Sequence, residues 1–158
     1  MRVIGIDPGA TGGVAVLEDG KLIDAMMMPI IHANGKTSVD SAILTDWLYQ
    51  HLVGDCTFVI EAVHAMPRQG VSSSFQFGKM YGAVEALAIS TGYRVEHVSP
   101  AKWKKAFHLN RDKGASIDAA RLRFGHKLDQ YVTLKKHEGV AEAALIAAWG
   151  HNMFGVSR

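Results

Sequence analysis

The segment RVIGID, residues 2–7, is a short apolar run that ends in an aspartate and is followed at once by the glycine-rich stretch PGATGG. Such a run is typical of a strand buried inside a sheet. A second run of this kind, CTFVIEAV at residues 56–63, carries Glu61 near its end. Ligands of open α/β sheets gather at the carboxyl ends of strands. Two buried strands that end in carboxylates therefore predict a site at that edge of the sheet.

The order of the other segments predicts a mixed α/β fold. The runs GGVAVLED and KLIDAMMM, joined at Asp19-Gly20, are expected to form a hairpin. Residues 29–36 are expected to form a loop, and Ser38 to cap a helix with apolar residues at helical spacing. Further helices are predicted over residues 73–90 and 138–153, and two more are expected to begin at Pro100 and after Gly114. A short strand is predicted over residues 93–98. We therefore expect one domain, residues 1–158, in which helices flank a three-strand meander and parallel strands.

The net charge of +2 in 158 residues is too small to indicate a polyanionic partner by itself. Basic residues are nevertheless concentrated in one segment, residues 94–127, which we call the basic block. It contains Arg94, Lys102, Lys104, Lys105, Arg111, Lys113, Arg121, Arg123 and Lys127. Such a block is either a solvated surface or a phosphate-binding face, and taken alone it favours the solvated surface.

Cys56 is the only cysteine, which excludes an internal disulfide framework and a cysteine-based zinc site. It lies in an apolar run, where we expect a buried, unreactive thiol. Asp7 interrupts the first apolar run too early for a signal peptide, and no run approaches the roughly 20 apolar residues of a membrane span. We therefore expect a cytoplasmic protein with no membrane association.

Four carboxylates are the candidates for chemistry. Asp7 alone is weak evidence, because Asp-Pro-Gly commonly begins a turn. Glu61 follows three apolar residues, and a buried charge there must be paired, neutralised or metal-bound; a solvent-facing strand position is the alternative. Glu138 and Glu142 lie on one helical face, where like charges repel unless a cation lies between them. Both could be solvated, but the apolar run around Glu142 favours a carboxylate that faces a site.

Oxygen ligands of this kind favour Mg²⁺ or Mn²⁺ over zinc. Carboxylates from two strand ends and one helix could hold two such ions about 4 Å apart, the arrangement used for phosphodiester hydrolysis. Histidines are expected at structural or surface positions. His137, which adjoins Glu138, is the exception and an alternative ligand.

Four segments carry recognisable motifs in order: VIGIDPGATGGVAVLE, FVIEAVHAMPRQGVSSSFQFGKMYGAVEAL, VSPAKWKKAFHLNRDKGAS and HEGVAEAALIAAWG. Together they span nearly the whole chain and resemble the RuvC family of Holliday-junction resolvases, within the ribonuclease H-like superfamily. The last two are more similar to phage and prophage members. The resemblance implies a ribonuclease H-like fold and a homodimer that nicks opposed strands of a four-way junction, leaving 5′-phosphates. It also implies two Mg²⁺ ions per active site, which Mn²⁺ can replace.

The resemblance assigns roles to the acidic residues. Asp7 matches the first catalytic aspartate of the family and Glu61 its catalytic glutamate. Glu142 stands where the family usually has aspartate, and Glu138 or His137 must supply the remaining metal ligand. The family spaces this last pair as Asp-x-x-Asp or His-x-x-Asp, whereas a glycine precedes Glu142 by three positions here.

The resemblance also assigns DNA contacts. Lys104 and Lys113 match basic residues that lie near the scissile phosphates. His64 occupies the place of an aromatic residue that stacks on junction bases. The other expected DNA contacts are Arg68, Gln69, Lys102, Lys105 and Arg111. On this interpretation the basic block neutralises the DNA backbone, and binding depends strongly on salt.

Other interpretations are open. GIDPGATGGVAV also resembles the phosphate-binding hairpin of actin-like sugar kinases and chaperone ATPases. Those proteins need two such domains and this chain has room for one, so we expect no nucleotide cofactor. The glutamates in the last helix keep a catalytically inactive junction-binding module as a second alternative. A row of small residues in the middle helix is expected to pack within the monomer, with a dimer seam as the alternative; the row is Gly78, Gly82, Ala86 and Ser90.

Overall fold

Five strands precede the first helix in the computed structural model, which describes residues 1–64, 70–109 and 114–155. The strands are β1 (Arg2–Asp7), β2 (Gly13–Glu18), β3 (Lys21–Met27), β4 (Ile30–Ala33), β5 (Lys36–Val39), β6 (Cys56–Glu61) and β7 (Arg94–Val98). The helices are α1 (Ser41–His51), α2 (Val71–Ser90), α3 (Pro100–Ala106), α4 (Ala115–Phe124), α5 (His126–Asp129) and α6 (Glu138–Phe154). A 3-10 turn, Lys135–His137, precedes α6.

The central sheet has five strands in the order β3-β2-β1-β6-β7. β1, β2 and β3 form an antiparallel meander, and β6 and β7 continue the sheet in parallel with β1. This confirms the expected mixed sheet with a three-strand meander and parallel strands. Ile6 lies opposite Ile60 at the end of the β1–β6 register, so Asp7 and Glu61 follow this last pair on neighbouring strands.

The two faces of the sheet pack against different helices, because successive side chains of a strand point to opposite faces. Val3 of β1 belongs to the apolar cluster that contains most of α6 and Trp103 of α3. Ile4 and Ile6 belong to the cluster formed with α1 and α2. Helices therefore cover both faces of the sheet, as the sequence predicts. In the described part of the chain, no helix combines the length and the apolarity needed to cross a membrane.

The closest approach between layers lies where α6 crosses β1 at Gly5. A Cβ atom on Gly5 would lie 2.2 Å from the carbonyl oxygen of Ala143 and 2.4 Å from the backbone nitrogen of Ala147. One turn earlier on the helix, Gly139 contacts the β1–β2 turn, and a Cβ there would lie 2.2 Å from the carbonyl oxygen of Thr11. These glycines let the first turn of α6 reach the carboxyl end of β1.

The segment expected to be a loop at 29–36 forms a second, two-stranded sheet. β4 and β5 pair in antiparallel register from Ile30 opposite Val39 to Ala33 opposite Lys36. The turn between them, Asn34-Gly35, has positive φ angles of 52° and 67°. That is the backbone conformation of a two-residue hairpin turn, for which Asn-Gly is the preferred sequence. The loop prediction was wrong because Asn34-Gly35 turns the chain back on itself and lets the residues on either side pair as strands.

The helix boundaries are close to those predicted, with one incorrect cap. Ser38 lies in β5 opposite Ile31, so it does not cap α1. Asp40 takes that role, since its Oδ1 accepts a hydrogen bond from the backbone nitrogen of Ile43 at 3.1 Å. α2 begins two residues earlier than predicted, and α6 ends one residue later. Cys56 is buried and free, as expected, and burial raises the pKa of its thiol to about 11.

The packing at Gly5 predicts that Gly5→Ala destabilises the protein by about 3 kcal/mol, near the upper end of the usual cost of overpacking a core. The methyl group would meet two backbone atoms of α6 and the Cβ of Ala147, and these can move only if the helix moves away from the sheet. Urea denaturation measures the change.

Gly70→Ala is the matched control. Gly70 precedes α2 with a φ of −60°, and a Cβ there would make only an ordinary contact 3.9 Å from Ser73 Oγ. Its free energy of unfolding should change by no more than about 1 kcal/mol, because alanine is only a poorer helix cap than glycine. Equal unfolding free energies for the two variants would contradict the close approach at Gly5.

Candidate active site

Asp7 lies at the carboxyl end of β1, beside a cavity of about 250 Å³. The cavity is lined by Asp7, Thr11, Lys135, Lys136, Glu138, Gly139 and Glu142. The carboxylate of Asp7 is partly buried, and its Oδ1 accepts a long hydrogen bond of 3.4 Å from the backbone nitrogen of Gly9. The structure therefore brings one strand end and the first turn of α6 together around a polar cavity.

Glu61 ends β6 and is buried, with 7% of its surface exposed. Its Oε1 accepts a hydrogen bond of 2.8 Å from the indole nitrogen of Trp103, a fully buried residue of α3. The solvent-facing strand position that the sequence left open for Glu61 is therefore wrong. The carboxylate lies inside the protein and has a specific hydrogen-bond donor.

Glu142 comes from α6 and joins the other two carboxylates. Its Oε1 accepts hydrogen bonds from Ser116 Oγ of α4 at 3.0 Å and from Lys104 Nζ of α3 at 2.9 Å. The Lys104 ammonium also interacts with the charges of Asp7 and Glu61. Two strands and three helices thus contribute to one cluster of three carboxylates around one ammonium.

The protonation equilibria of this cluster reflect excess negative charge. Burial raises the pKa of Asp7 to about 7, and the charges of Glu61 and Glu142 add to the shift. Burial likewise raises the pKa of Glu61, although the Trp103 hydrogen bond opposes the rise. Burial lowers the pKa of Lys104, but its bond to Glu142 and the surrounding negative charges outweigh that effect and raise it. In the described part of the site, the raised pKa values of Asp7 and Glu61 show that the positive charge of Lys104 does not offset the three carboxylates, so additional positive charge is favoured.

Glu138, and not His137, lies at this cavity. Glu138 lines it, and its Oε1 accepts a hydrogen bond of 3.0 Å from the backbone nitrogen of Gly114, the residue before α4. His137 lies in the 3-10 turn, where its Nδ1 accepts a hydrogen bond of 3.3 Å from the backbone nitrogen of Thr133. Of the two alternatives for the fourth ligand, the geometry favours Glu138.

The donor chemistry of the cluster fits a hard cation such as Mg²⁺, because all the candidate ligands are carboxylate oxygens. The oxygens are not arranged as a ready-made site. Across residues 1–64, 70–109 and 114–155, no group of three or more histidine, cysteine or acidic side chains is close enough to hold a metal ion. Lys104 already binds Glu142, so a metal ion has to compete with this ammonium for the carboxylate.

The expected DNA contacts are only partly within the described residues. His64 is exposed three residues beyond Glu61, and Lys102 and Lys105 are exposed on α3 on either side of Lys104. Arg68, Gln69, Arg111 and Lys113 lie outside the described residues.

Five residues of the site were missed by sequence reasoning. They are Thr11, Trp103, Ser116, Lys135 and Lys136. The two lysines directly precede His137 and Glu138 in the sequence TLKKHEG, which is a signal that could have been used. Nothing in the sequence pairs Trp103 with Glu61 or Ser116 with Glu142, because each pair is brought together only by the packing of α3 and α4.

The fold is similar to those of known structures, although no protein-family model and no curated protein matches the sequence. RuvC of T. thermophilus in complex with a Holliday junction substrate superposes with a TM-score of 0.70 at 21% identity, covering 98% of this chain and 96% of that one. A second Thermus thermophilus RuvC structure superposes with a TM-score of 0.63 at 21% identity, and the match covers 97% of this chain and 96% of that one. The fowlpox virus Holliday junction resolvase superposes with a TM-score of 0.60 at 14% identity, and the match covers 97% of this chain and 99% of that one.

The mixed five-stranded sheet flanked by helices, together with superposition over nearly the whole of each chain, defines a ribonuclease H-like class of fold. More specifically, the chain has the fold of the RuvC-type Holliday junction resolvases.

The raised pKa of Asp7 predicts how Asp7→Asn affects thermal stability without metal. The folded state holds the Asp7 proton with a pKa of about 7, whereas the unfolded chain has a value of about 4. The wild type therefore loses stability as the pH rises from about 4 through 7, and Asn does not titrate. In EDTA, Asp7→Asn should raise the Tm by several degrees at pH 8 and by little near pH 4. About 1 kcal/mol shifts the Tm of a chain this long by roughly 2–4 °C.

Asp46→Asn is the control for this experiment, because Asp46 is exposed on α1. Its effect on the unfolding free energy should stay within about 0.5 kcal/mol at both pH values. A Tm difference for Asp7→Asn that is the same at pH 4 and pH 8 would show that Asp7 is not held in its protonated form.

Proposed function

We propose that the protein is a metal-dependent, structure-selective endonuclease that resolves four-way junctions and related branched DNA by paired symmetric nicks. The observation that carries the proposal is the meeting of Asp7, Glu61 and Glu142, from three separate elements, around Lys104 at the carboxyl edge of the sheet. The similarity in fold to resolvases, one of them in complex with a Holliday junction, supports branched DNA as the substrate.

Mg²⁺, or Mn²⁺ in its place, is the cofactor we propose, held by Asp7, Glu61, Glu138 and Glu142. When bound, two such ions supply an activated water and stabilise the leaving oxygen, which produces 5′-phosphate ends. Within the chain, Asp7 and Glu61 provide oxygens from fixed strand ends, and Glu142 provides one from the helix. Lys104 binds a phosphate oxygen of the DNA once Glu142 no longer holds its ammonium. No nucleotide cofactor is part of this proposal.

DNA binding is proposed for the surface around the cavity and α3. Arg94 and Arg121, at the edges of the basic block, form ion pairs with Glu96 and Asp129. Lys102 and Lys105 are exposed on α3, the helix that also carries Lys104, and add two positive charges to its surface. Lys135 and Lys136 line the cavity from the other side. We propose that these lysines bind backbone phosphates, with His64, Arg68, Gln69, Arg111 and Lys113 as further contacts.

A homodimer is proposed from the exposed face of α2. Side chains at helical spacing form an apolar stripe along this 20-residue helix. The stripe consists of Val71, Phe75, Gly78, Gly82, Ala86 and Ile89, all exposed. The small-residue row does not pack within the monomer as expected, since a Cβ on Gly78 or Gly82 would meet nothing within 4 Å. A second copy related by a two-fold axis covers the stripe with its own α2, and the glycines let the helices approach closely.

This dimer presents two active sites to one junction, which is what paired nicks on opposed strands require. The proposed compartment is the cytoplasm of a bacterium or of a phage-infected host.

The endonuclease proposal predicts that Asp7→Asn and Glu61→Gln lower the rate of Mg²⁺-dependent nicking of a labelled four-way junction by at least about 1000-fold. Each change removes a charged oxygen ligand and with it several kcal/mol of transition-state stabilisation. Junction binding in a mobility-shift assay should survive. The substrate panel includes forks, flaps and linear duplexes, and cleavage is mapped on both strands.

Glu18→Gln is the control, because Glu18 pairs with Arg2 at the opposite end of β2. Its nicking rate should match that of the wild type. A wild-type protein that binds junctions but cleaves nothing with Mg²⁺ or Mn²⁺ is instead an inactive junction-binding module.

The dimer proposal predicts that Gly82→Glu weakens self-association by at least about 100-fold, because it leaves an unpaired charge at the helix contact. Sedimentation measures the change. Leu122→Glu is the matched control, since Leu122 is 92% exposed on α4, away from the stripe. If both variants associate as the wild type does, the α2 face is not the dimer contact.

A further inference from the structure

Trp103 differs from the other buried aromatic residues because its polar atom is bonded to a site carboxylate. It is the largest fully buried side chain among the described residues, yet its indole nitrogen donates a 2.8 Å hydrogen bond to Glu61 Oε1. The next residue along α3, Lys104, binds Glu142. Consecutive residues of one short helix therefore hold two different carboxylates of the site.

The same arrangement recurs at each candidate ligand. The backbone nitrogen of Gly9 donates to Asp7, Ser116 donates to Glu142, and the backbone nitrogen of Gly114 donates to Glu138. Donors behind the ligands are a general property of metal sites, where they fix the orientation of each ligand and tune its affinity. The Trp103 bond is the shortest of these four and is inaccessible to competing water.

A glutamate side chain has three rotatable bonds, so a carboxylate at the end of β6 can point in several directions. The indole bond selects one orientation by engaging Oε1, and Oε2 is then presented in a fixed direction. Simple filling of the core does not require this bond, because an apolar residue of similar size could occupy the same volume. The hydrogen bond is thus a property of the Trp103–Glu61 pair and not of core packing alone.

We propose that Trp103 is a positioning residue that fixes the orientation of the Glu61 carboxylate for metal binding and DNA cleavage. The inference rests on the proposed endonuclease function. It assigns to α3 two tasks beyond DNA contact, namely holding Glu61 through Trp103 and holding Glu142 through Lys104.

The first test reads the indole directly, without activity. The protein has three tryptophans, Trp47, Trp103 and Trp149, and each gives one indole N–H resonance in a ¹H–¹⁵N NMR spectrum. Trp47 donates to Asp24 at 3.1 Å, so it serves as an internal reference for an indole–carboxylate bond outside the site. Glu61→Gln should move the Trp103 resonance in metal-free protein, and Mg²⁺ should move it in the wild type. The Trp47 and Trp149 resonances should stay in place in both experiments.

The second test measures cleavage. Trp103→Phe removes the N–H, and we expect kcat to fall by about 10- to 100-fold, as for other donors behind metal ligands. The Mg²⁺ concentration for half-maximal rate should rise, while KM for the junction changes little. Trp47→Phe, which removes an indole–carboxylate bond elsewhere, should keep the wild-type kcat and Mg²⁺ requirement. An isosteric 3-benzothienylalanine at position 103 replaces the N–H by sulfur with little change in shape, and should reproduce the Trp103→Phe result.

The outcomes separate this inference from the proposed function. Suppose that the wild type cleaves junctions and that both changes at position 103 give the same kcat and Mg²⁺ requirement as Trp47→Phe. The positioning role is then wrong, and the endonuclease function stands. If the wild type cleaves nothing, the endonuclease function is wrong. The indole spectra then still show whether Trp103 is hydrogen-bonded to Glu61 and whether Mg²⁺ changes that bond. A Trp103 resonance that does not respond to Glu61→Gln overturns the inference.

Discussion

Helix α6 packs against β1 at Gly5 with no room for a side chain between them. Backbone atoms of the helix lie where a side chain on the strand would be, so the position of α6 over the sheet depends on a glycine at this point. Gly139 repeats the arrangement at the turn after β1. Because of these contacts, a helix from the end of the chain delivers Glu138 and Glu142 to the strand that begins it.

The site concentrates negative charge at one edge of the sheet. Asp7, Glu61 and Glu142 are brought out of bulk water together, and their mutual repulsion is offset within the described residues by Lys104. Packing of α6 and the sheet holds the carboxylates together in spite of this repulsion. Stability and function therefore place opposing demands on this edge of the sheet, as at other sites where charge is concentrated for chemistry.

Much of the architecture could be predicted from the sequence, because apolar runs and turn residues are local signals. The strand ending at Asp7, the strand ending at Glu61 and the last helix were all identified in this way. The β4–β5 hairpin was not predicted, although Asn34-Gly35 is a typical hairpin turn sequence. The partners of the carboxylates could not be predicted, since Trp103 and Ser116 are 42 and 26 residues away from the glutamates they bind. Such pairs depend on how α3 and α4 pack, which no local pattern encodes.

The glycine contact also bears on Glu142, at a position where the sequence resemblance to resolvases leads us to expect aspartate. A longer acidic side chain could in principle be accommodated by moving the helix outward by the length of one methylene. Here the backbone contact at Gly5 and the burial of α6 from Gly139 to Gly150 fix the helix axis. The added length must be absorbed by bending of the Glu142 side chain, whose end is held by Ser116 and Lys104. In this protein the glutamate at position 142 is thus accommodated by the path of its side chain, while the contact at Gly5 holds the helix backbone.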